Sequence, residues 1–266
     1  MIKLCLAGGM GRMGRVIASL VAASEDIEIA SVFETPEALR GVEDYRSAVG
    51  YDKNPVLLTS DAEEAVGLAD VVVDFSLPSA FDGILAACIK NVRHLVTGTT
   101  GIKGKGEKLR PLASKTAVVS APNMSVGMNI VFALCHRLGE VMGKTSDLEI
   151  VETHHRTKKD VPSGTAAEIA GILSERTGKP VIVGRLAGTR ERGKEIAVHS
   201  LRAGDVAGTH SVFITPGGES LEITHTARSR ICFGEGTLLA VRFVVVSSPG
   251  LYSMLEVLGL ESLKEG

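Results

Sequence analysis

The sequence predicts an α/β protein: a doubly wound parallel sheet, then a second domain of α+β type with a mixed, largely antiparallel sheet. Three observations lead there. Short, continuously apolar runs of strand length alternate with helix-like stretches down to about residue 120, the pattern of strands buried on both faces. A glycine-rich turn joins the first strand to the first helix, as in sheets that bind ligands at their carboxyl edge. After Asn123 the texture changes to one long apolar helix and then to strands separated by turn residues.

The elements follow in order. Ile2–Ala7 is an apolar run ending in glycines, and Arg12–Ser24 places Val16, Ile17, Leu20 and Val21 at helical spacing. Ile27–Phe33, Val71–Phe75, Leu95–Thr97 and Ala117–Ser120 read as further strands. Ala62–Leu68, Phe81–Lys90 and Lys105–Ser114 read as the helices between them. Val126–Met142 is a long apolar helix, and Asp147–His155 a strand. The next helix, Ala166–Thr177, ends at Gly178-Lys179-Pro180, a glycine-then-proline stop. Ile196–Ser229 reads as strands turning at Gly204-Asp205 and Pro216-Gly217-Gly218. Gly184–Glu195 is expected to be an exposed loop, while Thr237–Val246 and Leu251–Leu260 are apolar again. The expected organisation is a dinucleotide-binding domain over 1–125, with 230–266 packing back on it, and a second domain over 126–229.

Composition narrows the function. Across 266 residues, 29 Lys+Arg face 31 Asp+Glu, a net charge of −2. A nucleic-acid partner needs a surplus of cations on one face, so none is expected. Apolar residues at 44 % suffice for a core, which excludes a disordered chain. Cys5, Cys88, Cys135 and Cys232 form no CxxC pair, which fits reduced thiols rather than a disulfide framework. The apolar run at the N-terminus is too short for a signal peptide. The longest uncharged stretch, Thr116–Cys135, is interrupted by Pro122, Asn123 and Asn129, which suits no bilayer span. A soluble cytoplasmic protein with no membrane partner is expected. Glycine is the outlier, at 30 residues.

Gly9-Met10-Gly11-Arg12-Met13-Gly14 is G-x-G-x-x-G between a strand and a helix. The first glycine makes the turn, the second admits a pyrophosphate to the backbone, and the third lets helix and strand pack closely. The helix N-terminus then offers amides to the anion. Glu34 ends the second strand 20 residues after Gly14, where an acid takes ribose hydroxyls. That carboxylate repels a 2′-phosphate and Thr35 beside it supplies no cation, so NADH should serve at least as well as NADPH; Arg12 and Arg15 keep NADPH open. The loops Gly98-Thr99-Thr100-Gly101 and Ala121-Pro122-Asn123-Met124 fall at carboxyl ends of parallel strands and would line the nicotinamide side.

A second constellation suits a dicarboxylate. His154, His155, Arg156, Lys158 and Lys159 put five cations into six positions at a strand end. Adjacent strand residues face opposite ways, so His154 and His155 play different parts. Thr165-Ala166-Ala167-Glu168 reads as a capping box with Thr165 as N-cap, and Gly164 before it opens the helix N-terminus to anions. Histidine titrates near neutrality and suits proton transfer. His199, His210 and His225 are scattered singles without ligand spacing, so no metal site is expected.

The combination of GGMGRMGR, GTTG, APNMSVGMN, ETHHRTKKDVPSGTA and LRAGDVAGTH resembles the 4-hydroxy-tetrahydrodipicolinate (dihydrodipicolinate) reductase family from Ile2 to Leu260. The resemblance implies a Rossmann domain plus a mixed-sheet domain that binds substrate and builds a homotetramer. It also implies an NAD(P)H-dependent reduction in the diaminopimelate branch of lysine synthesis, by hydride transfer and then enamine protonation. Carried onto this chain, Gly8, Gly9, Met10, Gly11, Arg12 and Met13 match the pyrophosphate loop and Glu34 the ribose ligand. Gly98, Thr99 and Thr100, with Ala121, Pro122, Asn123 and Met124, match the nicotinamide-side loops. His154 matches the proton donor and Lys158 the second proton donor. His155, Gly164 and Thr165 match substrate carboxylate contacts; in our own reading the Thr100 loop, with Lys158 and the helix start, would help hold the two carboxylates. Thr35 departs from the Arg that many relatives carry there, against a strong NADPH preference. A different nicotinamide oxidoreductase or an NAD(H)-sensing module would keep the glycine turn and Glu34, but neither needs the His-His-x-x-Lys cluster.

Overall fold

The computed structural model describes residues 1–185 and 191–263. Of the loop expected over 184–195, residues 186–190 lie outside the described residues. The chain divides into two compact units: Met1–Ser125 with Ile231–Val257, and Val126–Arg230 with the stretch from Leu258.

The first unit alternates strand and helix. It runs β1 (Ile2–Ala7), α1 (Arg12–Ala22), β2 (Ile27–Phe33), α2 (Tyr45–Val49), β3 (Leu57–Thr59), α3 (Ala62–Gly67) and β4 (Val71–Asp74). α4 (Phe81–Asn91), β5 (His94–Thr97), α5 (Lys105–Ala113) and β6 (Ala117–Ser120) complete its first stretch. The second unit holds α6 (Val126–Val141), β7 (Asp147–His154), α7 (Gly164–Thr177), β8 (Val181–Val183), β9 (Ile196–Arg202), β10 (Gly208–Thr215) and β11 (Leu221–Ala227). The chain then re-enters the first unit with α8 (Ile231–Val244), β12 (Gly250–Tyr252) and α9 (Met254–Val257). Among the described residues, no helix is long and apolar enough to cross a membrane.

The first sheet has seven strands in the order β12-β6-β5-β4-β1-β2-β3, every neighbouring pair parallel. Val71, Val72 and Val73 of the central β4 are at most 1 % exposed, as a strand covered on both faces requires. The buried Asp74 at its end is satisfied locally: it accepts from Ser76 N at 3.0 Å and from Thr97 Oγ1 at 2.8 Å. Strand order reverses between β1 and β4, so the loops after these two strands flank the crevice where ligands of such sheets bind. The sequence reading missed α2, β3, β8 and β12. Each is five residues or fewer, too short to display a period. Asp44 holds α2 by accepting from the amides of Arg46 and Ser47, and Tyr45 at its start is fully buried, donating to Gly9 O at 3.3 Å.

The second sheet is mixed, in the order β11-β10-β7-β9-β8. β11/β10 and β10/β7 are antiparallel, whereas β7/β9 and β9/β8 are parallel. The expectation of a largely antiparallel sheet therefore holds for only half its pairings. The reason is α7, which carries the chain from β7 towards β8: a helical crossover returns the chain parallel. α6 and α7 cover one face over a core containing Met128, Phe132, Leu148, Ile150, Ile169 and Leu173. β7 alternates strictly, with Leu148, Ile150, Glu152 and His154 all on the buried face. Glu261–Leu263 lies against α6, which is why the last described residues cluster with this unit.

Two helical glycines make opposite predictions. A Cβ on Gly236 of α8 would lie 1.7 Å from the Met124 carbonyl, so Gly236→Ala should cost about 1–3 kcal/mol as an overpacked site. Gly171 of α7 is exposed with nothing near, so Gly171→Ala should gain roughly 0.5–1 kcal/mol. Urea unfolding of both variants checks the pair.

Candidate active site

In the first unit the glycine turn is set by close approach. Gly8 adopts φ +84°, and its amide donates to Phe33 O at 3.0 Å. A Cβ on Gly14 would sit 2.4 Å from the Gly8 and Gly9 backbone, and one on Gly9 would meet Val32 at 2.7 Å. Gly11 is the N-cap of α1, with no side-chain cap and no acid in the first turn. The positive end of the helix is thus uncompensated at a bare backbone cradle. Glu34 is buried, and its Oε1 accepts from Met10 N at 2.6 Å. Beside it opens a cleft of about 320 Å³. Gly8, Met10, Gly11 and Glu34 form its polar side; Phe33, Ala38, Phe75, Leu77 and Ala80 form its apolar side. A phosphate cradle, a ribose acid and an apolar slot fit a dinucleotide. The sequence reading missed the Phe75–Ala80 wall, although that segment follows β4 at the crevice and Leu77 is 61 % exposed.

The two further loops lie where parallel strands end. A Cβ on Gly98 would overlap the Phe75 ring at 2.2 Å. Thr99 is buried with its hydroxyl turned to Asp74 O and Ser76 O, while Thr100 is exposed. Lys105 donates to Thr99 O at 2.7 Å, and burial brings its pKa down to about 8. Ala121 and Met124 are buried, and Asn123 Oδ1 accepts from Ser125 N at 2.9 Å.

In the second unit the end of β7 becomes polar on its buried face. Glu152 has no exposed surface. Its Oε1 accepts from Arg202 Nη2 at 2.9 Å and from Ser163 N at 3.3 Å, and its Oε2 is bonded to His154 Nδ1. Burial pushes the Glu152 carboxyl up, but the bonds from Arg202 and His154 outweigh it and hold the group below its ordinary value. Burial pulls His154 below its ordinary value, against the upward pull of Glu152. His155 faces the other way and binds Thr157 Oγ1 through Nδ1 at 2.8 Å. Lys158 Nζ pairs with Asp160 at 2.8 Å. Arg202 also donates to the carbonyls of Lys158 and Asp160, so one guanidinium braces the whole basic loop.

Two sequence expectations are corrected. Thr165 is not the N-cap of α7. Ser163 is: its backbone is extended, its Oγ accepts from Ala166 N at 3.2 Å, and the first helical bond runs from Ala167 N to its carbonyl. Gly164 and Thr165 therefore sit in the first turn of α7. Nor is His210 an isolated single. Antiparallel register sets it opposite Glu152, its ring meets His154 edge-on at 5.1 Å, and its Nε2 lies 3.2 Å from Ser163 Oγ. Burial drives its pKa down to about 4. Ligand-capable atoms of Glu152, His154 and His210 lie within 4.8 Å of one another, but Arg202 already neutralises the carboxylate. Sequence reasoning missed Glu152, Ser163, Arg202 and His210 as site members.

Fold and site together define a nicotinamide-dependent oxidoreductase: a Rossmann unit with a dinucleotide cleft and a second unit with a buried acid–base cluster. The comparisons make this specific. The family profile described as dihydrodipicolinate reductase, N-terminus, matches residues 2–124, and that described as dihydrodipicolinate reductase, C-terminus, matches 127–258. The chain belongs to the dihydrodipicolinate reductase family, and it is a reductase of the lysine-forming pathway. Among solved structures it is similar to a dipicolinate-bound dihydrodipicolinate reductase from Paenisporosarcina sp. TG-14, at 23 % identity and TM-score 0.77 over 96 % of this chain and 98 % of that one. An amine dehydrogenase from Mycobacterium smegmatis matches at 14 % identity and TM-score 0.59, covering 95 % of each chain. A myo-inositol dehydrogenase from Corynebacterium glutamicum ATCC 13032 matches at 14 % and 0.62, over 100 % of this chain and 95 % of that one. Such identities speak to the fold alone.

The histidines set a pH dependence of stability. Burial lowers His94, His154, His210 and His225 below 6.5. The unfolded chain therefore takes up protons that the folded one refuses, and stability falls as pH drops. Thermal melts should be flat only between about pH 7 and pH 8, where Lys105 begins to titrate, and decline from pH 6.5 towards about 4. His210→Gln should flatten that decline; an unchanged slope would contradict the assignment.

Proposed function

We propose that the end of β7 is the acid–base site for reduction of 4-hydroxy-tetrahydrodipicolinate, with His154 as proton donor. The observation that carries this reading is the His154 imidazole, buried, bonded to a carboxylate and set in a cationic loop beside a helix N-terminus. The solved relative from Paenisporosarcina binds dipicolinate, a planar dicarboxylate, which supports a substrate of that class. A dicarboxylate needs two anion seats. The α7 first turn at Gly164 and Thr165, at the positive end of the helix, would take one carboxylate, and Lys158 with His155 would supply the second seat, Thr100 assisting. The nicotinamide, when bound, supplies hydride to the conjugated ring. His154 then protonates the substrate-derived enamine, and the cationic loop holds Lys158 where it stabilises developing charge or delivers a second proton.

The cofactor seat we assign to Gly8, Gly9, Met10, Gly11, Arg12 and Met13 for the pyrophosphate, and to Glu34 for the ribose. The loops at 98–100 and 121–124 would take the nicotinamide side. NADH should serve at least as well as NADPH. Thr35 Oγ1 accepts from Ala38 N, and Arg15 is committed to the carbonyls of Met10 and Ala48, so neither supplies a seat for a 2′-phosphate. By family resemblance the working form is a cytoplasmic homotetramer. The outer face of the second sheet, with half-buried Val151 and Phe213 and exposed Leu201, suits an interface.

His154→Ala and Lys158→Ala should each lower kcat by about 10²–10⁴ while leaving NADH binding by fluorescence intact. Near-wild-type turnover in both would reject the site. Glu34→Ala should weaken NADH more than NADPH in the same titration; equal losses would count against the ribose role.

A further inference from the structure

β7 ends with two polar residues on one face, two apart, so that their side chains stand side by side. Glu152 is the more deeply placed, with no exposed surface. An ionised carboxylate there is costly unless every oxygen is matched. It is matched from three elements. Arg202 reaches Oε1 from β9, the Ser163 amide reaches the same oxygen from the α7 N-cap, and Oε2 takes the His154 Nδ1. The backbone holds the same arrangement: Ala203 N donates to His154 O at 2.9 Å, and Arg202 is the register partner of His154. The other nitrogen of the His154 ring, Nε2, lies beside Gly208. A Cβ on Gly208 would stand 3.0 Å from His154 Nε2, so the missing side chain leaves that nitrogen approachable.

We propose that Glu152 is the positioning residue of the reaction: it holds His154 with Nδ1 protonated, making Nε2 the atom that gives up the proton. The proposal rests on the reading of His154 as proton donor. Glu152 touches neither substrate nor cofactor and acts through the imidazole. Its second contribution is charge. The groups facing the His154 ring are the carboxylate of Glu152 on its own strand, Arg202 on β9, Lys158 in the loop and His210 on β10. Arg202 and Lys158 oppose imidazolium formation, and the buried neutral His210 does nothing to favour it. Glu152 is the one member of this set that favours the charged ring. Without it, two cations face the imidazole and the proton leaves at lower pH.

The test uses the full-length enzyme with NADH and freshly generated dihydrodipicolinate, following kcat and KM against pH, together with ¹⁵N NMR of the histidine ring nitrogens. Wild type should show His154 as the Nδ1–H tautomer above its titration. Glu152→Gln should lower kcat about 10–100-fold at neutral pH with KM little changed. It should also move the alkaline fall of kcat/KM to lower pH by roughly one unit or more, the size of an opposite-charge contact. Glu152→Asp, which keeps the charge, should restore the wild-type midpoint. A Glu152→Gln profile that overlays wild type, or a loss confined to KM, overturns the proposal. So does a wild-type His154 found as the Nε2–H tautomer, a readout that stands even where Glu152→Gln fails to fold. The two claims separate cleanly: full activity in His154→Ala rejects the proton-donor reading itself. Loss there, with Glu152→Gln unchanged, rejects only the role of Glu152.

Discussion

The second unit of this protein is organised around one buried carboxylate. A carboxylate with no solvent contact, placed at the end of a strand, must find its hydrogen bonds inside the fold, and Glu152 takes them from Arg202, Ser163 and His154. Each partner then fixes something larger. Arg202 braces the loop of Lys158 and Asp160 through their carbonyls. Ser163 is at once a donor to Glu152 and the cap of α7, so the start of that helix is tied to the end of β7. Removing Glu152 from such an arrangement would strand Arg202 as well, which is why the charge-conserving aspartate is the informative companion to the glutamine.

The first unit obeys a different constraint. Its site is made by the absence of side chains. Gly8 has the left-handed backbone that favours glycine, and Gly14 and Gly98 stand where a Cβ would overlap backbone or ring atoms. Close approach of α1 to the β1 turn exposes amides instead of methyl groups, and Glu34 closes on that turn through Met10. The surplus of glycine therefore divides. Some residues make the cradle, some are helix stops such as Gly178 at φ +73°, and others, such as Gly204 and Gly218, turn between strands.

What could be read from the sequence follows the range of the interactions. The parallel strands were legible because burial on both faces leaves continuous apolar runs, and the glycine turn because its steric needs are local. The histidine strand and the α7 helix were legible from alternation and a stop signal. The cap was misplaced by two residues because Thr165 and Glu168 satisfy the capping-box spacing, whereas the Ser163 backbone decides where the helix begins. Three-residue strands carry no period, so β3, β8 and β12 stayed hidden. His210 and Arg202 could not be assigned to the site, because only the register of β10 and β9 on β7 sets them beside Glu152 and His154. Side-chain identity told what chemistry was available; pairing told which groups share it.

The central claim is that a dicarboxylate is reduced against the polar end of β7, with the imidazole of His154 as its proton source. A crystal structure of the enzyme with NADH and dipicolinate tests this most directly. The account predicts one carboxylate at the first turn of α7 by Gly164 and Thr165, the other beside Lys158 and His155, and His154 Nε2 facing the ring while Nδ1 stays on Glu152. Dipicolinate bound away from these residues, or His154 turned so that Nε2 rests on Glu152, would contradict it.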